Sequence, residues 1–414
     1  MKDEILLNID NPVQLENLYR SNKSAFRQAF TSLYPELGNS SMARFWHARL
    51  NFGKEALAHG SNEDLLFVMV SALVAGAIAK LPALLHINEE FFYSRNIGFI
   101  LFPVLSMYFA WKNKLSPGKT AFMAATMLAG LLFINSLPNV TKSDTLALAC
   151  IHLPICLWSV LGFVFVGEQR NSTEKRLGFL QYNGDLLVIT TLIVIAGAIL
   201  SGVTIALFTL IGINIREFYI ENIVFAALPA APIIGTYLTQ TNPQLVGKVS
   251  PVIAKIFSPL VLVMLVIYLI AIVYSGKDPY NDREFLLVFN ALLIGVMAII
   301  FFSVAEASGK PNNTTASWVL LLLAAVTVLV NGIALSAILF RIASWGITPN
   351  RAAVLGSNVL ILLHLLLVLV QLYRVAAKKA GITRVEKTIA FYLPVYCVWA
   401  AIVTFIFPFL FGFR

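Results

Sequence analysis

The residues of this chain that offer chemistry to a ligand are few, and most sit where charge is expensive. Lys80 lies inside an apolar run just ahead of Pro82, His152 stands two residues before Pro154, and His364 is set among leucines. Ionisable groups at such positions are costly, and they either snorkel, find a partner on a neighbouring helix, or serve a function. Each is read first as a satisfied packing or snorkelling residue and second as a binding group. Arg341 and Arg351 flank the turn sequence Trp345-Gly346-Ile347-Thr348-Pro349. A guanidinium fork suits carboxylate or phosphate. Its expected partners are Asp278, Asp282 or Glu284 of a charged link, or an anionic substrate group. Glu306 reads as interfacial. Asn135, Asn290, Asn331 and Asn358 read as interhelical glue. Pro229 and Pro232 remove helix hydrogen bonds and predict a kink that borders an internal cavity.

Catalytic signatures are missing. The sequence holds no GxSxG, HExxH or phosphate-binding glycine loop. Cys150, Cys156 and Cys397 have no metal-ligand spacing and read as small buried hydrophobes. No cofactor and no metal is expected. The net charge of +9 does not point to nucleic acid, because the basic residues sit in links between apolar runs, where they act as topology signals and lipid-headgroup contacts.

The elements that must position these residues are transmembrane helices. Hydrophobic residues make up 58% of the 414, charged ones only 12%, against about 25% charged in soluble domains. Apolar runs near the length a spanning helix needs recur from Leu65 onward. The expected fold is all-α, a polytopic transmembrane bundle over 61–414 with about eleven spans. They are centred on 64–86, 97–112, 119–137, 145–167, 184–212, 219–239, 256–275, 285–306, 317–341, 350–373 and 389–411. The second is the shortest, and the fifth is long enough to bend at Gly202. Gly197, Ala198, Ser201 and Gly202 in that fifth run predict close helix packing. With the N-terminus inside, twenty-one Lys and Arg fall on the cytoplasmic side and eight outside. This predicts a cytoplasmic N-terminus and an extracytoplasmic C-terminus.

Residues 1–60 contain no spanning run, which predicts no signal peptide and a short cytosolic segment of two amphipathic helices. Asn11 is the expected N-cap of the first, with Pro12 at its first position and Gln14 completing a capping box. Leu15 to Leu33 supply its apolar side, and Pro35 and Gly38 its end. Ser41 is the expected cap of the second, with Phe45, Trp46 and Leu50 inward. Ser61 is the expected cap of the first span.

Two stretches carry a family likeness. One is Phe257-Ser258-Pro259-Leu260 with the apolar run to Tyr274. The other is Arg341-Ile342-Ala343-Ser344-Trp345-Gly346-Ile347-Thr348-Pro349-Asn350-Arg351, with Trp345 where tyrosine is expected. Together they resemble the bacterial integral-membrane family catalogued as the 4153 domain of unknown function, mainly over 250–375. The resemblance implies a bacterial cytoplasmic (inner) membrane location and no activity. Three functions are therefore ranked. A transporter or permease of a small or amphipathic solute comes first. A membrane-embedded enzyme acting on a lipid or glycan carrier comes second. A sensor or assembly protein binding a protein partner through residues 1–60 comes third. Membrane lipids are partners in every case.

Overall fold

The computed structural model describes the chain apart from residues 38–39, 57–61, 141, 169–171, 276–279, 281–282 and 308–313. Helical residues 23–24, 51–56, 243–254, 271–273, 275, 283–285 and 287–288 are described for their backbone only. The described residues form helices and no strand, and they divide into two units, Met1–Leu65 and Leu66–Arg414.

The first unit holds four helices where two were expected: α1 (Lys2–Leu7), α2 (Pro12–Ser21), α3 (Lys23–Leu37) and α4 (Ser41–Ala56). Asn11 caps α2 through the Gln14 N–H, 3.2 Å away. The expected single helix from Leu15 to Leu33 is broken at Asn22, whose side chain accepts the Ala25 N–H at 3.0 Å. A short side chain that caps is worth more at a helix start than inside one. The cap of α4 is Ser40 rather than Ser41, through the Ala43 N–H. Phe26, Phe30, Leu33, Trp46 and Leu50 close a small core, while Phe45, expected inward, is exposed. Glu16 holds both Arg20 (2.8 Å) and Arg49 (2.7 Å). The Arg20 hydrogen bond is the main cause that keeps its carboxyl below the ordinary range. Gly38 and Ser61 lie outside the described residues.

The second unit takes in α5 (Asn62–Leu85) from Leu66 onward, then α6 (Glu89–Lys112), α7 (Pro117–Ser136), α8 (Asp144–Val166) and α9 (Thr173–Leu210). Then come α10 (Arg216–Tyr219), a π-helical turn at Ile220–Val224, α11 (Phe225–Ala227) and α12 (Ala230–Thr241). The remainder is α13 (Pro243–Ser275), α14 (Arg283–Ala307), α15 (Thr314–Trp345), α16 (Pro349–Ala376) and α17 (Thr383–Ala401), with a second π turn at Ile402–Ile406 leading into α18 (Phe407–Leu410). Among the described residues, nine helical stretches are long and apolar enough to cross a membrane. The two expected spans outside that set are α6 and α13, whose described apolar stretch is only Lys255–Ile270.

The start of α6 is more polar than expected for a physical reason. The helix begins at Glu89, well before the expected 97, because Asn88 caps it by accepting the Phe91 N–H at 2.8 Å. Its first turns therefore carry Glu89, Glu90, Arg95 and Asn96. Arg95, expected in an outer link, is instead buried, with Nη1 donating to the carbonyls of Ile134 and of Leu137 at the end of α7. At the other end, Asn113 Nδ2 donates to Val164 O (3.2 Å) and Phe165 O (3.1 Å) at the end of α8. So α6 runs the full depth of its neighbours. Asn96 and Asn135 exchange amide hydrogen bonds of 3.1 and 2.8 Å between α6 and α7, which makes Asn135 the interhelical glue its position predicts.

Lys119, in the first turn of α7, is buried and donates to Gly167 O (2.9 Å) and Glu168 Oε2 (2.6 Å). Glu168 Oε1 accepts the Ser116 N–H at 3.1 Å. The Lys119 hydrogen bond first, and the Ser116 backbone second, pull the Glu168 carboxyl down to about 2. A depressed carboxyl stabilises above its ordinary titration range and loses that contribution only as pH falls toward the folded value. We expect the melting temperature of wild type minus that of Glu168→Gln to stay constant between about pH 5 and 8. It should shrink below about pH 4.5, where the unfolded carboxylate protonates. A difference that already collapses near pH 6 would refute this clamp.

The helix α9 spans 38 residues and is not interrupted at Gly202, a contour of roughly 57 Å at 1.5 Å per residue. Its small-residue face does not pack as expected. A Cβ on Gly197 or Gly202 would meet nothing within 4 Å, and Leu192, Ile195, Ile199 and Leu200 around it are exposed. Small residues permit close approach but do not cause it, since helices in lipid gain little from burying one apolar surface against another.

Candidate functional site

The α15–α16 turn is built locally. Gly346 takes φ +76° and ends α15, with its N–H on Ile342 O at 2.9 Å. Thr348 Oγ1 accepts the Arg351 N–H, and Pro349 opens α16. Arg351 folds back on this turn, with Nη1 donating to Trp345 O (2.9 Å) and Gly346 O (2.7 Å). A cation set against its own helix start is thereby spent on the carbonyl end of the helix before it. Arg341 and Arg351 both lie over the Trp345 ring, at 5.3 and 5.6 Å. Asp278 and Asp282 lie outside the described residues, and the Glu284 side chain is not described. The described partners of Arg351 are therefore backbone carbonyls and one ring.

Lys80 Nζ donates to Glu221 O at 2.7 Å, inside the first π turn. That turn and Pro229 together break the sixth expected span into α10, α11 and α12. The carbonyl freed by Pro232 is taken by the Ala231 N–H at 3.2 Å. The predicted break is therefore present. His152 Nδ1 meets Leu148 O of its own helix at 2.9 Å, an i−4 contact that joins no other site residue.

His364 differs from the other candidates. It is wholly buried, and α16 presents it to α14 and α17. Its Nδ1 lies 3.0 Å from Tyr396 Oη, its ring stacks on Tyr392 (4.3 Å between centroids, 23°), and Phe301 closes a third side at 4.6 Å. Tyr396 Oη donates to Met297 Sδ at 3.4 Å, and Tyr392 Oη donates to Leu360 O at 3.1 Å. The phenol of Tyr396 and Nδ1 of His364 share one hydrogen bond whose donor depends on the histidine tautomer, and in either tautomer the other ring nitrogen, Nε2, is left to find a partner elsewhere. Among the described residues Nε2 has no partner.

Other orphaned polar atoms share this bundle. Both amide atoms of Asn331 and the Nδ2 of Asn358 are buried with no hydrogen-bond partner among the described residues. The helices α15 and α16 are antiparallel neighbours joined by the turn at 346–348. Asn331 is fourteen residues before Trp345 and His364 fifteen after Pro349. Both therefore lie roughly 21–23 Å from the turn, level with one another and near mid-depth. Toward the end of the bundle away from the 346–348 turn, Ser258 and Ser303 hydroxyls meet at 2.9 Å between α13 and α14, and Gln181 of α9 donates to the buried Glu306 at 3.0 Å. Sequence reasoning singled out His364 and the asparagines one by one. It missed Tyr392, Tyr396 and Gln181, whose signal was only a polar group at span depth.

A cavity of 760 Å³ lies elsewhere, between α7, α8, α9 and α17, and neither Pro229 nor Pro232 lines it.

A helical fold with repeated apolar spans around buried polar residues defines a multi-pass membrane protein. No family model, no curated protein and no solved structure matches the chain.

Proposed function

We propose that this protein is a transporter or permease of a small polar or amphipathic solute, and that the solute passes through the polar layer of α14–α17. The observation that carries this reading is the set of orphaned groups: His364 Nε2 and Asn331 near mid-depth, with Asn358, six residues before His364, about 9 Å nearer the turn. A buried polar group without a partner costs about 1–3 kcal/mol. In a membrane an ionisable group held at depth, as His364 is, is a candidate for a substrate or ion path. An eleven-pass topology accommodates the site. The end-to-end contacts of α6 and the antiparallel Ser258–Ser303 contact of α13 support counting both as spans. The proposed C-terminus is then extracytoplasmic. Consistent with this, Thr145 N–H reaches Arg414 O at 2.8 Å beside the α7–α8 link, which has the same predicted side. The resemblance in the late spans supports a bacterial cytoplasmic membrane.

Transport requires a site reached in turn from both faces. In a background with Cys150, Cys156 and Cys397 changed to alanine, Asn331→Cys is expected to react with a membrane-impermeant methanethiosulfonate from either face of oriented vesicles. Adding His364→Leu should slow both reactions. Labelling from one face alone would indicate a receptor or enzyme pocket, and labelling from neither would make the layer a static core. Either result would defeat the transport reading.

A further inference from the structure

The 760 Å³ cavity falls within the ~300–1,000 Å³ of ligand pockets. It begins where α7 and α9 start and α8 ends, bounded there by Lys119, Gly167 and Arg176, and it runs from those helix ends into the depth of the spans. Trp158 is eight residues before the end of α8, and Pro394 is eleven after the start of α17, roughly 12 and 17 Å inward at 1.5 Å per residue. Half of the hydrocarbon core is about 15 Å thick, so the inner part of the cleft is level with lipid chains rather than with headgroups. The helix α7 is an outer one, with Phe122, Leu128 and Leu132 exposed along it, and Pro394 on the α17 wall is exposed as well. The cleft is therefore open on the face that meets lipid.

Every polar side chain in the described lining is engaged within the protein. Lys119 is taken by Glu168 and by Gly167 O. Pro394 has no N–H for the Ala390 carbonyl one turn earlier, and Arg176 Nη1 donates to that carbonyl at 3.2 Å. Ser159 Oγ donates to Ile155 O at 2.8 Å, and Cys397 Sγ to Leu393 O at 3.5 Å. The start of α9 is capped by Ser172 and carries Glu174. An anionic headgroup needs an uncompensated cation, and a cavity water needs roughly two to four polar partners. Neither finds them here, whereas an apolar occupant leaves no polar group unpaired. The walls are also fixed. Trp158 Nε1 donates to Asn183 Oδ1 at 2.9 Å, and its ring lies 5.1 Å from that of Phe179. Gly162 makes room for this contact, since a Cβ there would lie 2.9 Å from the Phe179 ring.

We propose that this cleft binds one hydrocarbon chain of a bilayer lipid, laid along Phe122 and Trp158, without selecting the headgroup. The bilayer supplies the chain at the depth where the cleft opens. Rigid aromatic walls preform the slot, so little ordering is lost on filling it. The site is separate from the polar layer around His364 and stands whether or not transport does.

Trp158 is a built-in reporter. The full chain is reconstituted in phosphatidylcholine vesicles containing a minority of chain-brominated phosphatidylcholine. The Trp158 signal is taken as the difference from Trp158→Phe. The signal of Trp318, an exposed indole on α15, is taken in the same way from Trp318→Phe and reports the surrounding lipid. We expect Trp158 to be quenched. Ser159→Phe, which fills the cleft, should remove most of that quenching while Trp318 stays quenched as in wild type. Gly118→Leu, whose side chain would enter open space in the lining, should lower it too and serves if Ser159→Phe fails to fold. Chain-brominated phosphatidylglycerol at the same fraction should quench Trp158 equally. Absence of Trp158 quenching overturns the site, because the cleft is then closed to lipid. Quenching untouched by both variants also overturns it, because the indole then meets only the surrounding bilayer. Stronger quenching by the phosphatidylglycerol would show that a headgroup is selected and overturn a chain-only site.

Discussion

Arg95→Ala is expected to lower the melting temperature of the detergent-solubilised protein by several degrees or to prevent its folding. Arg95 is buried on α6 and donates to the carbonyls of Ile134 and Leu137, which the α7 helix cannot satisfy itself because they stand at its end. Each buried acceptor left without a donor costs about 1–3 kcal/mol, and the guanidinium also packs 4.5 Å from the Phe91 ring. Arg95→Lys should fall between, since an ammonium can donate to the carbonyls but lacks the planar fork. Fluorescence-detected gel filtration after heating reads the series. If Arg95→Ala melts with wild type, the α6–α7 junction is held by packing alone.

The second large effect is expected at Gly356. A Cβ there would lie 2.1 Å from the ring of Trp399, which stands on the glycine and donates its Nε1 to Ser357 Oγ at 3.0 Å. Gly356→Leu should force α16 and α17 apart, costing at least the ~1–3 kcal/mol typical of overpacked cores. Because α16 and α17 together hold His364 against Tyr392 and Tyr396, the same change should disturb the polar layer. Combining Gly356→Ala with Trp399→Leu should recover most of the stability that Gly356→Ala alone loses, since the clash is with that ring. A double variant no more stable than the single one would show that α16 and α17 are positioned by other contacts.

These two sites were legible to different degrees. Nothing in the neighbourhood of Gly356 announces an indole 43 positions away. Arg95 is visible as a basic residue, but its charge lowers the hydropathy of its surroundings and so points to a link. A single buried arginine with two carbonyls to satisfy counts against a span in any hydropathy reading. Pro394 and Arg176 were each legible as a helix breaker and a link cation. That one supplies the acceptor for the other depends on α9 lying beside α17.

The sequence by itself determined the class and the local punctuation. Runs of apolar residues admit only helices in lipid, because the backbone must satisfy itself. The caps at Asn11 and Thr348 and the left-handed Gly346 follow from residues within a few positions of one another. Tertiary structure alone decided which polar groups meet. His364 finds Tyr396 across 32 positions, Lys119 finds Glu168 across 49, and Arg176 finds Ala390 across 214. Apolar helices pack against one another with almost no preference of partner. The pairing of spans is therefore set by side-chain shape and by scattered hydrogen bonds, and these contacts become visible only once the helices lie side by side.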